Sequence, residues 1–347
     1  MRQRIAIVYN EPQPSRYDAS DEGVAVSSVL EAVAAVEHAL LELGFDVALT
    51  PLVPPLKEAT ARVKSLDADL VFNLFEGFCG QPETEAFVPE VCAQRGLLYT
   101  GCPSEALRLA LNKVRAKVRL QECGIATPDF QLLSPRTLHL FRLTYPCIVK
   151  PLGEDASHGI TAESVVSNLE ALEKQVARVS AGYGGTALVE EFAGGREFNA
   201  TVLGESVLPA SEIVYSLPPG MPRLLTYEAK WQRQSLYYEG SSVVCPANIS
   251  EEEQKKIAST ALASFKAIGC RGYARVDMRM DTKGKLKVIE VNPNPDISPG
   301  TGAARQAEAT GMSYAGFIEK IVAAAAEEGR RQWHIKSGPC PAPISAA

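Results

Sequence analysis

Apolar residues recur along the first hundred residues in two alternating rhythms. Short, nearly continuous apolar runs predict β-strands at 5–9, 46–49, 70–74 and 98–100. Helix-period patterns predict helices at 24–43, 56–65 and 83–94. Gly44 sits where a C-terminal glycine stops a helix. Strand–helix alternation of this kind predicts a parallel sheet covered by helices. The loop from Asn10 to Gly23 is long and polar and leaves the carboxyl end of the first strand, where ligands of such sheets bind. No G-x-G-x-x-G follows that strand, which argues against a dinucleotide site. The pattern changes near Gly101, Cys102 and Pro103. Helices follow at 105–111 and 113–123, then a strand at 146–150, a helix near 168–179 and a strand at 186–190. From Gly195 the chain is strand-rich, broken by helices at 251–268 and 314–328. The expected division is 1–103, 104–192 and 193–330, with 331–347 as a flexible tail.

Composition narrows the classes. Of 347 residues, 46% are hydrophobic and 22% charged, which is ordinary globular usage with chain enough for two or three domains. The net charge of −6 favours neither nucleic acid nor an anionic membrane surface. No apolar run reaches the roughly 18 residues of a membrane span. The start, basic then apolar, ends in Asn10 and Glu11 and reads as a strand rather than a signal peptide. The eight cysteines include no C-x-x-C and mostly lie in apolar contexts, so buried thiols of a cytoplasmic protein are expected.

The strongest chemical signal lies near the end. A strand over 272–280, a turn at 281–284 and a strand over 285–292 form an expected hairpin that brings Asp277 to Glu290 and Asn292. Glu290 and Asn292 are two apart and share a face. Two carboxylates and an amide oxygen suit a hard cation such as Mg2+, which also keeps water and substrate phosphates as ligands. Upstream, a buried-type strand ends in Lys150 and runs into a loop with Gly153, Ser157 and Gly159, whose amides suit phosphate oxygens. It is not a Walker loop. Lys113 starts a helix, and Glu190, Glu191 and Glu197 follow an apolar strand. Taken singly, each is equally consistent with a solvated helix face or a strand ending at a turn.

Order and spacing join them. Lys113, Lys150, Ser157, Glu190, Glu197, Lys230, Arg275, Asp277, Glu290 and Asn292 follow the order of the ATP-grasp superfamily. Within it the chain resembles D-alanine–D-alanine ligases, from about 98 to 312. The matching pieces are I-V-K-P at 148–151, Y-E-A-K at 227–230, R-V-D at 275–277, E-V-N at 290–292, and A-R-Q at 304–306 with G-M-S at 311–313. The resemblance implies an α/β ATP-grasp fold: an N-terminal parallel-sheet domain, then two α+β lobes, central and C-terminal, that clamp ATP. It implies that Lys113 and Lys150 contact phosphates under the Ser157–Gly159 loop. Glu190, Glu191 and Glu197 face adenine and ribose, and Lys230 approaches from a flap at 215–245. Asp277, Glu290 and Asn292 hold two Mg2+ ions, with Mn2+ as a substitute. Arg275, with Lys230 and Ser157, serves the reacting carboxylate. The implied reaction is amide-bond formation through an acyl phosphate, with ADP and phosphate released. Partners are then small carboxylate and amine substrates, with amino acids first, and a homodimer is implied by resemblance alone.

The substrate half departs from the family. Its glutamate after the first strand has no clear match; Glu11 and Glu22 are the candidates. Ala156 replaces a serine, Trp231 a tyrosine, Glu76 a histidine and Asp296 a glycine, with Thr301 close by. Lost hydroxyls change which substrate a hydrogen-bonding site accepts. The expectation is therefore retained ATP chemistry with an altered substrate pair. The alternatives are an authentic cell-wall D-alanine–D-alanine ligase, a non-catalytic nucleotide-binding protein, and a kinase that stops at the acyl phosphate.

Overall fold

A computed structural model of the chain describes residues 2–12, 29–78, 80–153 and 157–336, without the side chains of Trp231 and residues 329–336. Three sheets organise the described residues. The first is parallel, in order β2-β1-β3-β4, from β1 (Arg4–Asn10), β2 (Asp46–Leu52), β3 (Leu70–Leu74) and β4 (Leu98–Tyr99). β1 and β3 are buried almost throughout, as their continuous apolar runs require of a sheet covered on both faces. The helices Leu56–Lys64 and Phe87–Arg95 cover one face, where Phe75 meets Phe78 and Phe87 edge-on. The helix Val29–Glu42 covers the other. The expected helix at 24–43 is seen from Val29 to Glu42; residues 24–28 lie outside the described segments.

The second sheet is antiparallel: β5 (Phe130–Leu133), β6 (Cys147–Lys150), β7 (Val165–Val166) and β8 (Ala187–Glu191), in order β5-β8-β6-β7, backed by the helix Leu169–Gly182. The third comprises β9 (Glu197–Leu203), β10 (Ser206–Val207), β11 (Ser211–Tyr215), β12 (Ser241–Val244), β13 (Tyr273–Met280) and β14 (Leu286–Asn292), with path β12-β11-β9-β13-β14. Alternation assigns its two faces. Phe198, Ala200, Val202, Val276, Met278 and Val288 pack against the helix Glu251–Ile268. That leaves Arg275, Asp277 and Arg279 on the opposite face. The helix is fixed at both ends, by a Ser250/Glu253 capping box and by left-handed Gly269.

Two helices depart from the expected three-way split. Lys113–Glu122, expected with the central lobe, sends Ala116 and Leu120 into the core of the third sheet. The last helix runs Tyr314–Lys336, eight residues past the expected 328 and into the segment expected as tail. Its sequence continues through good helix formers, and the first proline beyond it is Pro339. Phe317, Ile318 and Ile321 of this helix share a core with Ile5, Ile7 and Phe72 of the first sheet. The C-terminal end of the chain thus seals the N-terminal sheet. Cys92, Cys102, Cys147 and Cys270 are buried free thiols, as expected; Cys79 and Cys340 lie outside the described residues.

Ile321 is fully buried in that shared core. Ile321→Ala is expected to lower unfolding free energy by about 2–5 kcal/mol, read as the shift of the urea midpoint at unchanged slope. A shift equivalent to under about 0.5 kcal/mol, as for a surface position, would show that the helix does not seal the sheet.

Candidate functional site

The polar face of the third sheet carries the cation-ligand candidates. β13 pairs with β14 so that Asp277 lies opposite Glu290 and Arg275 opposite Asn292, with a bulge after Asp277. The expected hairpin is therefore present, in the register that joins the three oxygen donors. Each is engaged. Arg275 grips Asp277 bidentately, Nε to Oδ1 at 2.7 Å and Nη2 to Oδ2 at 2.8 Å. Lys113 Nζ lies 3.2 Å from Glu290 Oε1. Asn292 Oδ1 accepts from the Asn294 amide at 3.0 Å. Burial opposes ionisation of Glu290, yet Lys113 and Lys150 hold its carboxyl at about 2. Burial likewise disfavours the Arg275 guanidinium, and Asp277 overrides it, raising its pKa. Two carboxylates and an amide oxygen, balanced by basic side chains, fit a hard divalent cation that would take over part of that balance. Among the described residues no group of three His, Cys, Asp or Glu side chains is arranged for a metal, so the amide is needed to complete the set.

Lys150 ends β6 and Glu190 lies on the neighbouring β8, displaced diagonally by two positions, so they share a face. Lys150 Nζ donates to Glu190 Oε2 at 3.0 Å. Glu190 is almost fully buried, and its other oxygen lies 3.1 Å from Lys117 Nζ. Expected as an acceptor toward adenine, its carboxylate here anchors lysines. Burial disfavours its charge, but Lys117 and Lys150 outweigh that and lower its pKa. Glu191 Oε1 instead accepts from the Thr144 amide at 3.1 Å, at the edge of this sheet.

Glu197 begins β9, opposite Arg279 of β13. Arg279 Nη1 donates to Glu197 Oε2 at 3.0 Å, and Tyr215 Oη donates to the same oxygen. Arg279 also donates to the Arg223 carbonyl at 2.7 Å and lies against the Phe192 ring. Residues 216–226 of the expected flap are thereby tied to the sheet. Lys230 is on the short helix Tyr227–Trp231, capped by Thr226. Burial and the Arg275 charge lower its pKa, while Asp277 and Glu290 oppose them, so the flap lysine faces the cation-ligand cluster. The phosphate-loop candidates meet the flap as well. Ser157, at φ +64°, donates from Oγ to the Leu225 carbonyl at 3.1 Å. Gly159, at φ +74°, has no room for a side chain: a Cβ would stand 2.9 Å from the Tyr183 ring and 3.0 Å from Pro151. Ala156 lies outside the described residues.

The remaining substrate-side candidates gather where the first sheet meets the loop after β14. A small cleft is lined by Val29, Leu74, Glu76, Asn294, Asp296 and Ile297. Asn294 Nδ2 donates to the Phe75 carbonyl at 3.1 Å and to Glu85 Oε1 at 2.8 Å, joining the two regions. Asp296 Oδ1 accepts from the Ser298 amide and hydroxyl at 2.8 and 2.6 Å, and Thr301 Oγ1 donates to the Asp296 carbonyl. Asp296 also adds to the field on Arg275, which links this cleft to the cation-ligand site. Glu11 is exposed, with its amide bonded to the Leu52 carbonyl. Glu22 lies outside the described residues, as does the Trp231 side chain.

Lys117 and Arg279 were not anticipated as site residues. Both had a readable signal. Lys117 is four residues after Lys113 and so on the same helix face; Arg279 continues the 275, 277, 279 alternation of β13.

Two α+β lobes facing each other across basic side chains, with two carboxylates and an amide oxygen gathered on one hairpin, are the arrangement of an ATP-grasp enzyme. The profile of the family "D-ala D-ala ligase C-terminus" matches residues 120–323. A D-alanine–D-alanine ligase from Haemophilus influenzae is 30% identical over 295 residues, covering 83% of this chain and 93% of that protein. The uncharacterized protein y4sG of Sinorhizobium fredii is 31% identical over 337 residues, covering 92% and 96%. The crystal structure of D-alanine–D-alanine ligase from Bacillus anthracis superposes with TM-score 0.73 at 19% identity, over 95% of this chain and 99% of that one. The VanG D-Ala:D-Ser ligase of Enterococcus faecalis gives 0.71 at 20%, over 94% and 100%. These two likenesses show the fold. The chain belongs to the D-alanine–D-alanine ligase family, and its class is that of ATP-dependent, ADP-forming ligases that make carbon–nitrogen bonds.

With its pKa held below the ordinary 4.5, Glu190 contributes stability above that pH which is lost as pH falls through its folded-state value. Glu190→Gln leaves two ammonium groups without their counter-charge. It is expected to lose about 3–5 kcal/mol at about pH 7 in urea unfolding. The deficit against the parent should shrink below about pH 4.5. A deficit that stays constant down to about pH 3 would reject this assignment.

Proposed function

We propose that this ligase activates a small carboxylate as an acyl phosphate and joins it to an amine, and that its substrate pair is not two molecules of D-alanine. The convergence of Lys113, Lys150, Lys230 and Arg275 on Asp277 and Glu290 carries the first half of this reading. A carboxylate is a poor acyl electrophile at neutral pH; phosphorylation gives it a good leaving group. Lys113 and Lys150 bind the phosphates, and Lys230 approaches them from the flap. Arg275 stands beside Asp277 to stabilise charge developing on the substrate carboxylate. Two bound Mg2+ ions, held by Asp277, Glu290 and Asn292, would supply Lewis-acid neutralisation of the transferring phosphoryl group. Arg279 and Ser157 hold the flap over the cleft, which excludes water from a hydrolysable intermediate. ATP lies between the second and third sheets in this reading.

The second half rests on the cleft. Glu76 and Asp296 stand where the family pattern has a histidine and a glycine, and both line the same small cleft, with the Asp296 charge felt at Arg275. Two added carboxylates there disfavour a second anionic group and favour a cationic or polyamine-like acceptor. The authentic D-alanine–D-alanine ligase is the competing reading, favoured by the 30% identity to the Haemophilus influenzae enzyme.

ADP release with MgATP, measured over a panel of amino acids, amines and carboxylates with products identified by mass, separates the two. Low turnover with D-alanine alone and a several-fold higher rate with a cationic acceptor are expected. Robust D-alanyl-D-alanine formation would overturn the altered-pair reading. With the productive pair in hand, Arg275→Met should lower kcat by about 10²–10³-fold. An unchanged kcat would remove Arg275 from the transition-state assignment.

A further inference from the structure

Among the described residues, Lys117 is the one buried lysine that the reaction above does not use. It is 2% exposed, its partner Glu190 is 1% exposed, and Lys150 is 14% exposed. Glu190 bridges the two lysines, of which Lys150 is the more exposed. Lys117 Nζ lies 3.1 Å from Glu190 Oε1, Lys150 Nζ lies 3.0 Å from Glu190 Oε2, and Thr127 Oγ1 accepts from Lys117 at 2.8 Å. Lys117 shares its helix face with Lys113, so one helix serves Glu290 of the third sheet and Glu190 of the second. Buried this deeply, Lys117 does not reach a nucleotide.

We propose that Lys117 is a positioning residue for nucleotide binding: by occupying one oxygen of Glu190 it fixes the Lys150 ammonium at the cleft and leaves the trio with one net positive charge. The proposal deepens the proposed function, because it rests on Lys150 as a phosphate contact.

Stability alone does not call for this charge: a whole buried ion pair is commonly replaceable by apolar side chains at little cost. Removing one partner is destabilising, which is why unfolding is measured alongside binding below. Lys117 lies near the Phe130 ring, where a methionine would pack. Burial lowers the Lys117 pKa, and the Glu190 carboxylate opposes that and favours the ammonium. The trio has two ammonium groups on one carboxylate. Without Lys117, Glu190 and Lys150 form a one-to-one pair with no net charge. The ammonium is then drawn toward both carboxylate oxygens and away from the cleft, and incoming phosphates meet a neutral wall.

A double-mutant cycle tests this, with Mg2+-ADP affinity by titration calorimetry and urea unfolding as paired readouts on the full chain. Lys117→Met is expected to weaken binding by about tenfold in the parent. In a Lys150→Met background it should weaken binding by no more than about twofold, because its route to the nucleotide is gone. Equal factors in both backgrounds would overturn the proposal, since a merely structural role does not pass through Lys150. Where Lys117→Met fails to fold, Thr127→Val replaces it: it removes the hydroxyl that holds the ammonium and keeps the shape. About threefold weakening in the parent and none in the Lys150→Met background are then expected. A parent that binds no Mg2+-ADP overturns the functional reading along with this one. A binding parent with an additive cycle overturns Lys117 alone.

Discussion

Charge matching across buried and half-buried carboxylates is the constraint on which the site depends. Glu290, Asp277 and Glu190 sit on strands of two different sheets, and each is met by a cation: Lys113, Arg275, and Lys117 with Lys150. A carboxylate buried as deeply as that of Glu190 keeps its charge only when paired. The pairs in turn dictate the placement of the connecting elements. The helix Lys113–Glu122 must lie on the third sheet, through Ala116 and Leu120, to bring Lys113 to Glu290 and Lys117 to Glu190. The same balance makes the cluster receptive. Basic groups that neutralise carboxylates can be turned to phosphate oxygens while a divalent cation takes their place, at little change in net charge.

The flap is bound into the same arrangement by polar contacts with few partners. Arg279 reaches the Arg223 carbonyl, Ser157 the Leu225 carbonyl, and the Tyr227 amide the Ile160 carbonyl. These bonds are half-buried and each contributes modestly, and Leu224, Tyr227 and Tyr237 of the same segment are buried beside them.

Much of this was legible in the chain. Continuous apolar runs at β1 and β3 announced a buried parallel sheet, and the hairpin of β13 and β14 placed Asp277 opposite Glu290 as expected. The helix 251–268 was bounded by its capping box and its glycine. What escaped has a common physical origin. Local patterns report which face of an element is apolar, but not which distant element covers it. Nothing near residue 314 says that Ile318 and Ile321 close over Ile5 and Ile7, three hundred residues away along the chain. Lys117 reads as a solvated helix lysine because charge ordinarily signals exposure; its spacing from Lys113 gives the helix face, and the packing of that helix reveals the carboxylate waiting for it.

The two halves of the site also differ in how they are built. The nucleotide side rests on strand and helix positions whose directions follow from alternation and helical period. The substrate side rests on connections: Glu76 follows β3, and Asp296 and Thr301 belong to the turn between β14 and the helix Gly302–Glu308. Loop side chains change with little cost to the core, whereas Asp277 or Glu290 changed to an apolar residue would leave Arg275 or Lys113 facing nothing. A scaffold of this kind retains its phosphoryl chemistry while the loops at its edge exchange a histidine-like or glycine-like position for a carboxylate. Two of the departures from the family pattern, Glu76 and Asp296, therefore meet at one cleft built from connections, although the family likeness extends over most of the chain.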